Sequence, residues 1–293
     1  MDTIKLSIII VHYNTPDLLI RCLRSIDKFI VDMSKEIIVV DNNSRQDLSP
    51  TSLESIKDVT LIRLPDNRGF GYANNIGAKA ASGEMVFFLN SDAYLKDHSI
   101  HQALKSFFEK KEKALWGFKL LWPDGSLQNS CSRDIAFLDY ILFYTPVSRL
   151  SHFIKRIGYH QYHGTPFNGI TAVPIVYAAA MLMWKKDFLA LDGFDEKYFM
   201  YFEDADLCFR FKNLLKGEIY YHPEVSIVHS VKGSSRKSPK MNLAYLKSKY
   251  TYGLKKFTFL SMIFYVSLDV SLMMVTLGYG SIFSKPETGK QTC

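Results

Sequence analysis

The sequence predicts an α/β protein with a mainly parallel central sheet that helices cover on both faces. Short apolar runs rich in Val and Ile recur in the first part of the chain, and segments with helical signals separate them. Each run ends in a cluster of Asn, Asp, Ser or Gly, the residue types that favour turns. Strands that alternate with helices form parallel sheets, and ligands bind at the carboxyl ends of those strands.

The first part of the chain contains four expected strands, at 6–11, 36–40, 60–64 and 85–89. Thr15 at a helix N-cap and Pro16 at the first helical position begin a helix that runs through Ile26. A second helix is expected over 72–81. Polar clusters follow the strands, at 13–14, 41–43, 67–69 and 90–92. Because strand ends meet at one edge of a parallel sheet, we expect these clusters to line one crevice.

The second part of the chain is less regular. Loops and a short helix at 135–144 are expected within an irregular stretch over 120–172. Regular structure returns over 176–184, and acidic residues begin a helix from about 203 to 215. A Lys- and Tyr-rich helical stretch beyond Met241 precedes an apolar segment over 257–283.

Composition and charge narrow the possible partners. The 293 residues are 47% hydrophobic and 22% charged, as in an ordinary globular protein. The net charge of +7 indicates an anionic partner, which can be nucleic acid, a phosphorylated substrate or a membrane surface. Eight Lys or Arg and no acid lie between Val231 and Lys256, so the excess positive charge is near the C-terminus.

The cysteines and the N-terminus predict a cytoplasmic catalytic region. The four cysteines fit no metal or disulfide spacing, which indicates reduced thiols; they are Cys22, Cys131, Cys208 and Cys293. The apolar run at 4–11 is preceded by acidic or polar residues and interrupted by Lys5, unlike a signal peptide.

The first candidate for chemistry is the cluster Asn90-Ser91-Asp92 after the apolar strand. A carboxylate at a strand end can hold a hard divalent cation against a diphosphate, and Mg²⁺ takes only one or two protein carboxylates. The alternative is a simple turn, since each of these residue types favours one.

The second candidate is the acidic start of the helix at 203–206. The acids could simply offset the helix dipole, and Asp206 with Arg210 could form an i,i+4 pair. Asp204, however, lies on the side of the helix that carries Leu207 and Phe211. A carboxylate held there could deprotonate an acceptor hydroxyl.

The third candidate is His229, which ends the apolar run 225–228. A lone His is more often structural, but neutral imidazole can join a carboxylate and phosphates around Mn²⁺. Gly69-Phe70-Gly71 is incomplete as a dinucleotide fingerprint, because Asn74 stands where a Gly or Ala is needed. A dehydrogenase is therefore disfavoured.

Seven features in order extend from about residue 6 to residue 235. They are 7–14 (SIIIVHYN), 38–44 (IVVDNNS), 67–75 (NRGFGYANN), 88–92 (FLNSD), 193–196 (GFDE), 201–208 (YFEDADLC) and His229. With these features the chain resembles family-2 glycosyltransferases of the GT-A fold, in particular their bacterial rhamnosyltransferase-like branch. The resemblance implies an inverting transferase that moves a sugar from a nucleoside diphosphate.

The resemblance also implies roles for residues at the nucleotide. Tyr13 and Asp41 would hold the nucleobase, and Asn67 and Arg68 would lie near the ribose and the diphosphate. The nucleotide would be UDP or dTDP, and dTDP-rhamnose is the expected donor.

Further roles follow from the resemblance for the metal and the base. Asp92 corresponds to the last acid of the DxD motif, which binds Mg²⁺ or Mn²⁺, and His229 to a supplementary metal or phosphate contact. Asp204 corresponds to the catalytic base. The chain departs from many relatives at Asn90, where they have Asp, so metal affinity is expected to be modest and assisted by the diphosphate.

By this resemblance, 1–235 would be a GT-A catalytic domain with a nucleotide-sugar half (1–119) and an acceptor and base half (120–235). The remainder, 236–293, would be a basic and apolar segment that associates with the cytoplasmic face of a membrane. The stretch 257–283 is long enough to span a ~30 Å hydrocarbon core. Asp269 within it would cost on the order of 3 kcal/mol, so an interfacial helix or one packed on the domain competes.

The expected partners are a nucleotide-sugar donor, a lipid-linked or glycan acceptor and a membrane surface, and no nucleic acid. A nucleotidyltransferase would need a Gly-rich, basic phosphate loop near the N-terminus, which 12–21 does not offer. A non-catalytic scaffold with the same fold, and a transferase for another sugar, are the remaining alternatives.

Overall fold

The computed structural model of the chain describes residues 5–45, 58–150, 161–162, 167–230 and 239–282. By contacts the chain forms two compact units. The first comprises Met1–Asp134 and Gln161–Tyr252, and the second Ile135–His160 and Gly253–Cys293. These units are defined by contacts between residues. The boundary expected at residue 235 instead separates a catalytic domain from a membrane-associating segment. Of the C-terminal cations, Lys232, Arg236 and Lys237 lie outside the described residues, as do Phe283 and Cys293.

The strands, in chain order, are β1 (Leu6–His12), β2 (Lys35–Asp41), β3 (Val59–Arg63), β4 (Met85–Leu89), β5 (Ala93–Leu95), β6 (Ala114–Leu121), β7 (Leu127–Gln128), β8 (Cys131–Ser132), β9 (Thr171–Ala172), β10 (Ile175–Val176), β11 (Ala180–Trp184) and β12 (Glu218–His229). The α-helices are α1 (Pro16–Phe29), α2 (Phe70–Ala80), α3 (Ser99–Lys110), α4 (Phe137–Tyr144), α5 (Lys185–Ala190), α6 (Glu203–Leu214), α7 (Pro239–Lys256) and α8 (Phe259–Ile282). A 3₁₀ helix covers Pro146–Leu150.

The first four strands form the parallel part of the sheet, in the order β3-β2-β1-β4. Ile8 of β1 pairs with Ile37 on one side and Phe87 on the other, and all three side chains are buried. The expected strands therefore exist, with ends shifted by one residue at most. They are predictable because a strand buried on both faces needs an uninterrupted apolar run.

The sheet continues from β4 through β11, β6 and β12 to β5. β11 is antiparallel to both β4 and β6, whereas β12 is parallel to β6 and antiparallel to β5. The register of β12 shifts between His222 and Ser226, around Pro223, which has no N–H to donate to a neighbouring strand. The antiparallel pairing of β12 with β5 brings His229, at the end of β12, next to the residues that follow β4.

Helices cover both faces of the sheet, as expected. Ile8 and Ile10 join the core that includes Leu19 and Leu23 of α1. Ile9 points the other way, toward α2, where a Cβ on Gly77 would approach its Cγ2 to 2.5 Å. Because successive side chains of a strand face opposite sides, each strand supplies apolar surface to both helical layers.

Helix α1 begins where the sequence predicts and runs three residues further, to Phe29. Thr15 occupies the N-cap position, but its side chain makes no capping hydrogen bond. The Thr15 Oγ1 atom lies instead 3.3 Å from Nδ1 of His12 and 3.2 Å from Oγ of Ser91. The hydroxyl thus ties the ends of β1 and β4 together rather than satisfying the helix.

The second unit contains α4, the 3₁₀ helix and α8. Tyr140 is its buried centre, with ring centroids 5.2 Å from Phe257 and 4.7 Å from Tyr265. The Tyr265 hydroxyl donates a 3.0 Å hydrogen bond to the carbonyl of Tyr144. Across the described part of the chain, no helix combines the length and the apolar character that crossing a membrane requires.

Candidate active site

A cleft of about 1110 Å³ opens at the carboxyl ends of β1 and β4 and at the start of α6. Five residues expected at the site line it: Tyr13, Asn67, Asp92, Asp204 and His229. The cleft therefore joins residues from the two expected halves, 1–119 and 120–235, in the manner expected for the strand ends of an α/β sheet.

The pairing of β5 with β12 brings Asp92 and His229 together. Ala93 pairs with His229, and the Ser230 amide donates a 2.9 Å hydrogen bond to the carbonyl of Asp92. The side chains meet with 3.1 Å between His229 Nε2 and Asp92 Oδ1, and both are nearly buried.

This pair fits one edge of a metal site. Two adjacent ligands, each ~2.1 Å from an octahedral ion, lie about 3.0 Å apart, which matches the observed separation. Imidazole nitrogen and carboxylate oxygen are suitable donors for Mn²⁺. Among the described residues no group of three His, Cys, Asp or Glu side chains could hold a metal, so further ligands would have to come from a substrate or water.

Two amide side chains complete the surroundings of His229. Asn90 Nδ2 lies 3.1 Å from His229 Nε2, and Gln128 Oε1 lies 2.7 Å from His229 Nδ1. Gln128 is buried and also lines the cleft. Nothing in the sequence marks Gln128 as part of the site, because it is a single polar residue in a two-residue strand.

Asp204 and the adjacent Glu203 stand at the N-terminus of α6, at the cleft wall. Asp204 Oδ1 accepts a 2.7 Å hydrogen bond from the amide of Ala205. Burial raises the pKa of Asp204, although this bond opposes the rise. The pKa of Glu203 is raised more than that of Asp204, first by burial and then by the charge of Asp204. A carboxylate whose pKa is raised is a better proton acceptor once it is ionised.

Asp206 serves the structure rather than the cleft. It is buried, and its Oδ2 accepts a 2.7 Å hydrogen bond from Nε of Arg210. The i,i+4 pair considered from the sequence therefore exists, but its carboxylate is inside the protein rather than on the surface.

The backbone that leads into α6 is strained. Tyr201 and Phe202 both have left-handed φ values, 71° and 68°, which bulky residues rarely adopt. The Phe202 ring packs on Tyr252 at 5.4 Å, and the Ser248 hydroxyl bonds the carbonyl of Met200 at 2.9 Å. Contacts from α7 thus hold the strained turn that carries Glu203 and Asp204, as is common at functional sites.

Asp41 is buried and is not among the residues that line the cleft. Its Oδ1 accepts a 2.9 Å hydrogen bond from the amide of Ser44. That bond shapes the turn from which Asn42 and Arg45 reach the cleft. The sequence predicts this turn at the site, and in the structure Asn42 and Arg45 of the turn line the cleft whereas Asp41 does not.

Asn67 and Arg68 also differ in position. Asn67 Oδ1 accepts hydrogen bonds of 3.1 Å from Asn42 Nδ2 and from the amide of Gly69. Gly69 has a φ of 103°, and a Cβ there would lie 2.3 Å from the carbonyl oxygen of Phe199, so only glycine fits. Arg68 is half-exposed outside the cleft lining, over the ring of Tyr72 at 3.8 Å and 3.9 Å from Glu196.

Two solved structures share the fold of this chain. "GalNAc-T7 with UDP, GalNAc and Mn2+" superposes on 96% of this chain and 58% of its own, with a TM-score of 0.60 and 15% identity. Staphylococcus aureus TarS 1-349 covers 97% of this chain and 76% of its own, with a TM-score of 0.55 and 15% identity. These likenesses confirm the GT-A fold.

Two bacterial relatives are named for O-antigen biosynthesis and for rhamnosyl transfer. The O-antigen biosynthesis protein RfbC of Myxococcus xanthus is 28% identical over 71% of this chain, which spans 16% of RfbC. The rhamnosyltransferase WbbL of Escherichia coli K12 is 28% identical over 64% of this chain and 71% of WbbL. This chain is thus similar to the rhamnosyltransferase-like branch.

The family model described as "Glycosyl transferase family 2" matches residues 7–157, from the first strand to beyond the Asp92 cluster. The match covers just over half of the 293 residues. With the strand order, the cleft and these relatives in agreement, the chain belongs to glycosyl transferase family 2.

Proposed function

We propose that this chain is an inverting, metal-dependent glycosyltransferase that moves a sugar from a nucleoside diphosphate to a lipid-linked or polysaccharide acceptor. The observation that carries the proposal is that Asp204 lines the same cleft as the Asp92–His229 pair. Such a reaction needs a base for the acceptor and a way to meet the charge of the departing diphosphate.

Asp204 acts as the base. Its carboxylate takes the proton of the acceptor hydroxyl while that oxygen forms a bond to the anomeric carbon. The bond from this carbon to the diphosphate oxygen breaks at the same time, on the opposite side of the sugar, and the electron pair leaves with the nucleoside diphosphate. A single displacement of this kind inverts the anomeric configuration.

Asp92 and His229 hold the diphosphate end. Their donor atoms, 3.1 Å apart, would occupy two adjacent positions on Mg²⁺ or Mn²⁺. When bound, the ion would neutralise negative charge on the leaving diphosphate. With only these two protein ligands, the site relies on the donor phosphates, so the donor and the metal should bind cooperatively.

Tyr13, Asn67 and the turn that Asp41 shapes form the nucleotide end. Arg68 is proposed to reach the donor phosphates after leaving Glu196. Their 3.9 Å ion pair is half-exposed, and exposed pairs contribute only about 0–1 kcal/mol, so releasing it costs little. Asp41 is proposed to contact the nucleobase at the base of the turn.

Rhamnose from dTDP-rhamnose is the donor that we propose. The similarity to a protein named as a rhamnosyltransferase supports this choice. A different UDP- or dTDP-sugar is the alternative, and a non-catalytic scaffold is the second candidate, favoured only if no donor is consumed.

The C-terminal segment is proposed to associate with the cytoplasmic face of a membrane, where a lipid-linked acceptor would be found. One side of α8 exposes large apolar residues, including Phe259, Leu260 and Phe264, each more than half exposed. Lys255 and Lys256 directly precede this surface. Apolar side chains beside cations suit an interfacial helix on anionic lipid.

The test is donor consumption by the purified full chain. Release of nucleoside diphosphate from dTDP-rhamnose and from a panel of UDP- and dTDP-sugars is measured with Mn²⁺ and with excess EDTA. We expect dTDP-rhamnose to be consumed only with the metal. Preference for another sugar would show that dTDP-rhamnose is not the donor. Full activity in EDTA would show that the reaction needs no metal. If no donor were consumed or bound, the non-catalytic scaffold would be favoured.

A further inference from the structure

Gln128 and His229 approach each other across strand β6. Gln128 pairs with Leu120 on one edge of β6, and Ile227 of β12 pairs with Leu120 on the other. His229 lies two residues beyond Ile227 and so faces the same side of the sheet as Ile227 and Gln128. The result is a 2.7 Å contact between Gln128 Oε1 and His229 Nδ1, formed by a buried amide.

This contact fixes where the imidazole carries its proton. An amide oxygen only accepts hydrogen bonds, so Nδ1 must be the donor. A neutral imidazole has a single N–H, which leaves a lone pair on Nε2. Asn90 Nδ2, 3.1 Å from Nε2, is a donor and agrees with that assignment.

The lone pair on His229 Nε2 then faces a lone pair on Asp92 Oδ1. Asp92 Oδ1 lies 3.1 Å away, and two acceptors at this distance repel unless a cation or a proton lies between them. In the opposite tautomer, Nε2–H would donate to Asp92 and both atoms would be occupied by each other. In the tautomer held by Gln128, Nε2 keeps a lone pair that a cation can take in place of the Asn90 hydrogen bond, and Asp92 Oδ1 is not occupied by the imidazole.

We propose that Gln128 is a positioning residue that holds neutral His229 in the Nδ1–H tautomer and so preserves, together with Asp92, a divalent-cation site. This inference rests on the proposed metal dependence of the reaction. Hydrogen-bond partners behind metal-binding histidines orient the ring, and their loss commonly weakens metal affinity about 10–100-fold.

The tautomer is measured directly in the metal-free full chain. Histidine labelled with ¹⁵N is observed by long-range ¹H–¹⁵N correlation at increasing pH, until the imidazole signals stop changing and the neutral ring is observed. The His229→Gln variant identifies the signal. We expect Nδ1–H in the parent and Gln128→Glu chains, since both offer an acceptor, and a shift toward Nε2–H in Gln128→Leu. Nε2–H in the parent would overturn the proposal.

Affinity for Mn²⁺ alone, which two protein ligands hold only weakly, is then measured from the paramagnetic broadening of the same histidine signals as Mn²⁺ is added. Gln128→Leu should bind about 10–100-fold more weakly, and Gln128→Glu should restore binding. Gln102→Leu, the same change on the exposed surface of α3, controls for the substitution itself. Unchanged tautomer and unchanged Mn²⁺ affinity in Gln128→Leu would refute the role of Gln128.

The outcomes distinguish this inference from the proposed function. If no sugar donor is consumed but the tautomer and Mn²⁺ results hold, the transferase proposal fails and Gln128 keeps its role. If donor is consumed with Mn²⁺ while His229 is Nε2–H, Gln128 loses its role and the transferase proposal stands. If Gln128→Leu does not fold, the parent tautomer and the Gln128→Glu affinity still decide the matter.

Discussion

Asn90 Nδ2 lies 3.1 Å from His229 Nε2. The Asn90 amide therefore stands beside a proposed metal ligand, where a carboxylate would add a third protein ligand to Asp92 and His229. The Asn90→Asp variant should therefore bind Mn²⁺ about tenfold more tightly, because affinity for hard cations rises with the number of charged ligands. Calorimetry without nucleotide measures the change. Asp92→Ala is the opposite control and should abolish binding. Equal affinity in the parent and Asn90→Asp chains would contradict the geometry proposed for the ion.

Asp204→Asn should lose sugar transfer by roughly two to four orders of magnitude, because the amide cannot accept the acceptor proton. Donor affinity should be unchanged, since the substitution preserves the shape of the start of α6. Transfer rates and nucleotide binding are measured on the same preparation. A rate near that of the parent would exclude Asp204 as the base and direct attention to Glu203 or Asp195.

Glu203 should make the fold less stable as the pH rises. Its side chain is buried, Oε2 has no hydrogen-bond partner among the described residues, and its pKa lies above the ordinary 4.5 because of burial and then the charge of Asp204. The folded chain therefore holds this proton more tightly than the unfolded chain. Protonated Glu203 therefore contributes its full stabilisation of the fold below pH 4.5. This contribution is lost as the pH rises through the raised pKa of Glu203.

The Glu203→Gln variant should remove this pH dependence. Its free energy of unfolding should exceed that of the parent at high pH, with a difference that grows by at most about 1.4 kcal/mol per pH unit. Urea unfolding at a series of pH values provides the measurement. Glu109→Gln, on the exposed face of α3, should behave like the parent. Parallel stability curves for the Glu203→Gln and parent chains would show that Glu203 does not retain its proton.

The sequence predicted the parallel half of the fold because its strands are buried on both faces. An apolar run such as that of β4 has to be buried, its length suits a strand, and the polar residues that follow it mark the strand end. The antiparallel insertion of β11 between β4 and β6 was not predictable in this way, because a short buried strand carries no sign of its direction.

The site was predictable only to the level of the turn that carries each residue. Asp92 and His229 were each identified, but their 3.1 Å contact depends on the pairing of β5 with β12, strands far apart in the chain. Asp41 was selected within the correct turn, although its carboxylate bonds the Ser44 amide and Asn42 reaches the cleft. Gln128 was not identified, since its importance comes entirely from a partner on another strand.

Membrane association should depend on the apolar surface of α8. Leu260 and Phe264 are exposed by 78% and 57%, and burying such side chains in the headgroup region gains about 1.5–3 kcal/mol each. The Leu260→Glu, Phe264→Glu double variant of the full chain should therefore bind vesicles of anionic lipid much more weakly than the parent.

Co-sedimentation at physiological salt measures the bound fraction, with neutral vesicles as the comparison. Lys105→Glu, an exposed change on α3 rather than on α8, also introduces an acid and should bind as the parent does. If the parent chain stays in the supernatant with anionic vesicles, α8 does not attach the enzyme to lipid, and its exposed apolar side chains need another explanation. If the parent and the double variant sediment equally, attachment comes from the upstream cations instead of the apolar face.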